Sequence, residues 1–263
     1  MISSGSRLTK PLMLVPFLYS LITRFNGARD RAYLVASSWI PATWLIFRLS
    51  DVGLVAAIVK FALGYLAFIA VYEIGYFIND AWDARKSAAG RRRIDFAWGP
   101  AFVILFVAIR VALWLAIGYA TGWISDPVWL ACFAALAAAI AQHNLIASPA
   151  LRAASFFQLS TLRFAVPVVA SVPRQALLLV FAAALLFYTY FRFLSYLDSK
   201  ALLDMPARRR PQFGFVQGLM LAPLAILISF LSSSTILAEL ALYFVMIFGL
   251  WIVLSPKQNA SDL

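Results

Sequence analysis

Acidic side chains are scarce in this sequence. There are 11 Asp and Glu in 263 residues, against 22 Lys and Arg, and all charged residues together make up 13% of the chain. That is about half the charged share of a soluble globular domain. With 63% hydrophobic residues, such a chain cannot cover a water-facing surface, and its excess of positive charge is confined to loops. This argues against nucleic acid as a partner and places the protein in a bilayer, where the basic loops set topology and attract anionic headgroups or phosphorylated substrates. A single cysteine, Cys132, excludes an internal disulfide and a cysteine-ligated metal. The single histidine, His143, is in such a setting ordinarily a hydrogen-bonded structural residue.

Long apolar runs are what the chain does have, and its mean hydropathy is +0.87. A spanning helix needs about 20 mostly apolar residues. Eight runs approach this length: 32–49, 54–78, 96–119, 128–145, 156–172, 175–197, 213–231 and 236–254. The first apolar run, 12–22, is too short and holds Pro16 just after Pro11, so it reads as an interfacial or re-entrant segment. Thr23-Arg24-Phe25-Asn26 after it is a poor signal-peptidase site, and no cleavage is expected. The expectation is an all-α, polytopic transmembrane bundle of about eight to nine helices around a central cavity open to the cytoplasmic side. Residues 1–30 form an N-terminal cytoplasmic or interfacial segment, 31–255 a single membrane domain and 256–263 a short tail. Basic residues collect in alternate loops, including Arg24 to Arg31, Arg85 to Arg93 and Arg208 to Arg210. The positive-inside rule then puts the N-terminus in the cytoplasm, with a bacterial inner membrane as the default location.

Two polar clusters interrupt the apolar pattern, both on the basic side. The first is Tyr72-Glu73-Ile74-Gly75-Tyr76-Phe77-Ile78-Asn79-Asp80-Ala81-Trp82-Asp83, at the end of the second run. In a helix, Glu73, Tyr76, Asp80 and Asp83 recur at three, four and three and share a face. Asn79, Asp80 and Asp83 offer the hard oxygen ligands that Mg²⁺ takes from one or two carboxylates while keeping water or phosphate oxygens. Glu73 lies two to three turns inside the apolar run, where a carboxylate needs a partner or a wet cavity. Arg110 and Lys60 are candidate partners. The second cluster follows the sixth run: Tyr188, Arg192, Tyr196 and Ser199 share a face, with Asp198, Lys200 and Asp204 next to them. Arg163 sits in an otherwise apolar stretch, where its cost directs it to the bundle interior. Arg152 lies in the preceding loop around 148–152.

Asn79-Asp80-Ala81-Trp82-Asp83 resembles the first Asp-rich motif, NDxxDxxxD, of the UbiA superfamily of intramembrane prenyltransferases. The family's second Asp-rich motif follows the sixth span, where Asp198 and Asp204 stand here. Two departures are visible: Ser87 replaces the last Asp of the first motif, and Ala201 the middle one of the second. The resemblance implies Mg²⁺ held by Asn79, Asp80, Asp83, Asp198 and Asp204 on the diphosphate of a polyprenyl diphosphate lipid. Arg163, Arg152, Lys200 and Arg192 would neutralise the diphosphate, while Tyr76, Tyr196 and Phe193 would shield an allylic cation. A small-molecule acceptor, aromatic in many members, would then attack. Within the same superfamily the alternative is phosphoribosyl transfer from phosphoribosyl diphosphate to a polyprenyl phosphate. Outside it, the alternative is a non-catalytic transporter or complex subunit.

Overall fold

The computed structural model describes residues 10–25, 27–86, 99–205 and 210–254, without the side chains of residues 10 and 82–86. Among the described residues there is no strand. Two short helices, α1 (Lys10–Leu14) and α2 (Leu18–Thr23), form an N-terminal hairpin. Helix α3 (Ala28–Leu34) passes through a π-helical segment, Val35–Trp39, into α4 (Ile40–Leu49). There follow α5 (Leu54–Lys86), α6 (Pro100–Thr121), α7 (Pro127–Leu145) and α8 (Pro149–Val169). Helix α9 (Leu177–Ala183) runs through a second π-helical segment, Ala184–Thr189, into α10 (Tyr190–Ser199), and α11 (Pro211–Leu231) and α12 (Ile236–Leu254) pack together at the end.

Six of these helical segments are long and apolar enough to cross a membrane: Leu54–Ala81, Pro100–Thr121, Pro127–Leu145, Arg174–Ser199, Pro211–Leu231 and Ile236–Leu254. The chain is therefore a multi-pass membrane protein. The other two expected spans are helical but more polar, for a physical reason. Helix α8 carries Arg152, Gln158 and Arg163, and eleven of its 21 residues are buried against protein. A central helix meets side chains rather than lipid, so it need not be apolar throughout. The run 28–49 begins with Arg29, Asp30 and Arg31 and is divided by its π turn.

Two boundaries differ from the sequence expectation. Helix α5 does not stop at residue 78 but continues through the polar motif to Lys86. No Gly or Pro interrupts 79–86, and at 1.5 Å per residue its 33 residues reach about 50 Å, beyond an apolar layer about 30 Å thick. Helix α8 begins at Pro149 rather than 156. Ser148 is its N-cap, its side chain accepting from the Leu151 N–H at 3.5 Å, and Pro149 occupies the first turn. The expected loop 148–152 is thus mostly helix.

Backbones meet where α5 crosses α8. A Cβ on Gly64 would lie 2.1 Å from the Pro167 carbonyl oxygen, so only glycine permits this approach. Pro167 in turn has no N–H to give to the carbonyl of Arg163 one turn earlier.

The N-terminal segment, expected to be interfacial or re-entrant, is a helical hairpin packed into the bundle. Met13, Tyr19 and Ser20 are fully buried. What holds the hairpin inside is a buried ion pair between α5 and α6. Arg110 Nη2 lies 2.7 Å from Glu73 Oε2, and both side chains are inaccessible to solvent. Glu73 also accepts from the backbone N–H of Phe17 at 3.1 Å and of Ser20 at 2.8 Å, at the start of α2. Arg110 donates to the carbonyls of Met13 at 2.9 Å and Leu14 at 3.5 Å, at the end of α1. Each member of the pair therefore caps one half-helix, answering the orphan groups that a helix end leaves in a dry interior. Phe17, between the halves, has φ of 71°, an unusual value for a bulky residue, held in place by Glu73 and by ring packing on Tyr65 at 5.6 Å.

At the far end of the bundle, Arg48 pairs with Glu239 at 2.7 Å, and Trp44 and Thr235 add hydrogen bonds to the same carboxylate. Arg174 lies 3.8 Å from Asp126.

Removing one partner of a buried ion pair costs about 3–5 kcal/mol. Glu73→Ala and Arg110→Ala should each lower stability by about that amount. The double replacement Glu73→Leu with Arg110→Met should recover only part of it, because the half-helix ends stay uncapped. Thermal melts of the detergent-solubilised protein measure both; full recovery in the double variant would show that the pair does no capping.

Candidate functional site

Five elements converge at the end of the bundle where α5 and α7 finish and α8 begins. They enclose a pocket of about 260 Å³. From α5 come Tyr72, Gly75, Tyr76 and Asn79; from α7, Ile140, His143 and Asn144; from α8, Phe156, Leu159, Ser160 and Arg163. Arg24 enters from the end of α2, and Arg192 and Tyr196 from α10. No Asp or Glu lines it among the described residues.

Arg163 dominates the electrostatics. It is 4% exposed, donates from Nη1 to the Tyr76 hydroxyl at 3.1 Å, and has neither Nε nor Nη2 satisfied. Aromatic faces surround it, Phe25 at 5.3 Å and Tyr72 at 5.7 Å, and no carboxylate pairs with it among the described residues. Arg192 lies 5.6 Å from the Tyr188 ring and likewise has an unpartnered buried Nε. A buried guanidinium without a counter-ion costs several kcal/mol, so the pocket offers a place for an anion that the described residues do not supply. Tyr196 stacks on Phe156 at 4.1 Å and forms an aromatic wall.

The face of α5 that looks into the pocket is not the one the polar spacing singles out. Tyr72, Gly75, Tyr76 and Asn79 form the pocket stripe, whereas Glu73 and Asp80, seven residues apart, face the N-terminal hairpin. Asp80 is 5% exposed, accepts from the Tyr19 hydroxyl at 2.5 Å and pairs with Arg24 at 2.7 Å. Arg24 in turn lies 4.4 Å over the Tyr76 ring. Asp80 thus sets the position of a pocket arginine instead of lining the pocket.

The remaining expected residues divide. Tyr76, Asn79, Arg163, Arg192 and Tyr196 are brought together in the pocket. Arg152 turns to the Ile146 carbonyl at 2.7 Å, and Lys200 lies 5.8 Å from the Tyr196 ring. Asp198 accepts from the Met205 N–H at 3.1 Å, Asp204 is exposed, and Phe193 packs on Phe157 at 5.3 Å. The side chain of Asp83, and Ser87 with it, lie outside the described residues. Both Asp80 oxygens meet donors, and no group of three His, Cys, Asp or Glu is assembled among the described residues.

Sequence reasoning did not give Arg24 or Tyr72 a place in the pocket. For Arg24 a signal existed: a hairpin returns the residue that follows it to the end of the bundle it left. Tyr72 shares the i, i+4 spacing of Tyr76, which marks one helix face.

Asp80→Asn keeps the shape but removes the charge that holds Arg24. It should lower the melting temperature and weaken anion binding in the pocket, both with and without Mg²⁺. Isothermal titration with inorganic pyrophosphate in the presence of EDTA tests this; binding by the variant equal to wild type under EDTA would contradict the positioning role.

No protein-family model, no curated protein and no solved structure matches the chain.

Proposed function

We propose that this protein is an intramembrane prenyltransferase of the UbiA type, taking a polyprenyl diphosphate as donor and a small, aromatic acceptor. The observation that carries this reading is Arg163, a buried guanidinium in a pocket with no acidic lining among the described residues. A diphosphate supplies the missing counter-charge, and Arg24 and Arg192 stand beside Arg163 to share it.

The same pocket suits ionisation of the donor. As the allylic C–O bond breaks, its electron pair leaves with the diphosphate, and three guanidiniums in a water-poor site stabilise the charge that develops there. The carbon left behind is cationic, and Tyr72, Tyr76, Phe156 and Tyr196 present π faces to it. Mg²⁺, if bound through Asp83 or Asn79, would add charge neutralisation to the diphosphate; the steps above rest on the protein's own residues.

A place for the lipid tail supports the reading. An apolar groove of about 850 Å³ opens between α4, α5 and α12, lined by Trp39, Ile40, Trp44, Ile58, Phe61 and Tyr65 among others. Its size and chemistry are those of a lipid or ligand cavity. Along α5 an aromatic series continues from that groove to the pocket: Phe61 and Tyr65 at 5.7 Å, Tyr65 and Phe68 at 5.9 Å, Phe68 and Tyr72 at 4.9 Å, Tyr72 and Tyr76 at 4.7 Å. In this reading the groove takes the tail and the arginines take the diphosphate; Phe68 between them is fully buried, so the chain seats only when that packing opens. The basic loops favour a cytoplasmic opening for the pocket.

The deciding assay incubates purified protein with labelled polyprenyl diphosphate or with phosphoribosyl diphosphate plus a polyprenyl phosphate, and follows pyrophosphate release. Release from the prenyl donor alone is expected; release only from the ribosyl donor, or from neither, overturns the proposal. Arg163→Met should reduce donor affinity by about a hundredfold, as loss of one buried charge partner does. The ligand-free variant should melt no lower than wild type, because a buried unpaired charge has been removed.

A further inference from the structure

His143 is the chain's only histidine, and its ring lines the arginine pocket between the edges of Tyr196 and Phe156, with centroids 6.2 Å and 6.3 Å away. Its orientation is set by hydrogen bonding to Ser155 and to the Arg152 backbone. Nδ1 lies 2.9 Å from the hydroxyl oxygen of Ser155, which is 3% exposed. A serine hydroxyl has a single proton. Ser155 gives that proton to the Arg152 carbonyl oxygen at 2.9 Å. With the hydroxyl proton directed to that carbonyl, Nδ1 is the donor in its contact with Ser155, and this arrangement places the neutral ring's proton there. Nε2 is left with a lone pair, and among the described residues no hydrogen bond engages it.

A histidine locked with one nitrogen as donor and the other bare is equipped to accept a proton. We propose that Nε2 of His143 takes the proton that the acceptor sheds during prenyl transfer. This rests on the prenyltransferase reading and adds a catalytic group to it. In the step, an electron pair of the acceptor forms the new bond to the allylic carbon, whose former C–O electrons have left with the diphosphate. The acceptor's proton moves to Nε2, and the imidazolium then returns it to solvent. Ser155 is a positioning residue, since it acts only through Nδ1. The charged groups around the ring are Arg152 and Lys200 close by, with Arg163, Arg192 and Arg24 across the pocket; Tyr76 and Tyr196 are the phenols that face the same space.

Because the chain has one histidine, its tautomer can be read without assignment. The full-length protein labelled with ¹⁵N-histidine in detergent micelles should give a single ring spin system protonated at Nδ1 near neutral pH. A spectrum with the proton on Nε2 overturns the inference, whatever the activity. For the reaction, labelled farnesyl diphosphate and a panel of phenols serve as donor and acceptors. His143→Gln should lower transfer by about a hundredfold or more. Donor binding and pyrophosphate release should persist, with prenyl alcohol accumulating as water captures the cation. Ser155→Ala should give a smaller loss together with a shifted tautomer. Unchanged transfer by His143→Gln sinks the role of His143 alone. Wild-type protein that releases no pyrophosphate sinks the transferase reading, and this role with it.

Discussion

The Glu73–Arg110 ion pair is the interaction on which the arrangement of this protein depends. Neither charge is tolerable alone in an apolar interior, and together they still cost desolvation. Four of their further hydrogen bonds go to backbone groups of the broken N-terminal segment, and one goes from Arg110 to the Phe106 carbonyl. That segment could not otherwise enter the bundle, because two short half-helices present more open ends than a dry interior accepts. Once it is seated, Tyr19 and Arg24 are brought to Asp80, and Arg24 reaches the pocket.

Charge is thus sorted by depth and face. One side of α5 carries the acids, and it is turned toward the hairpin, where each acid is answered. The adjacent side carries tyrosines, glycine and an amide, and it faces Arg163 and Arg192, which no acid answers among the described residues, together with Arg24, which Asp80 pairs. Asp80 fixes Arg24 from behind, while Arg163 and Arg192 keep the pocket's field positive.

Much of the fold was legible in the sequence. Run lengths and hydropathy gave six membrane spans, and the shortness and prolines of the run 12–22 set it apart from a span. The expense of charge in an apolar run marked Glu73, Arg110 and Arg163 as interior residues. The pairing of Glu73 with Arg110 was one of several options, because cost alone says that a partner exists and not which. Periodicity correctly put Glu73 and Asp80 on a common face, yet it could not say what that face meets. A third of a turn separates the hairpin-facing stripe from the pocket stripe, and only the packing of α2 decides between them. Arg24 was hidden for the related reason that its role comes from a neighbour 56 residues away. Helix α8 was legible as a helix but not as a central one, since its polar residues only make sense once its neighbours are known. The tautomer of His143 depends on where a serine hydroxyl donates, which no spacing encodes.

The far end of the bundle has an electrical consequence. There Arg48 and Arg174 each stand beside an acid, so that end presents little net charge, whereas the pocket end keeps an excess of guanidiniums. The folded protein is therefore polarised along the membrane normal. A transmembrane voltage acts on such an object with about 2.3 kcal/mol per elementary charge carried across 100 mV. A potential negative on the pocket side would favour this orientation, because it lowers the energy of the arginines that no described acid pairs.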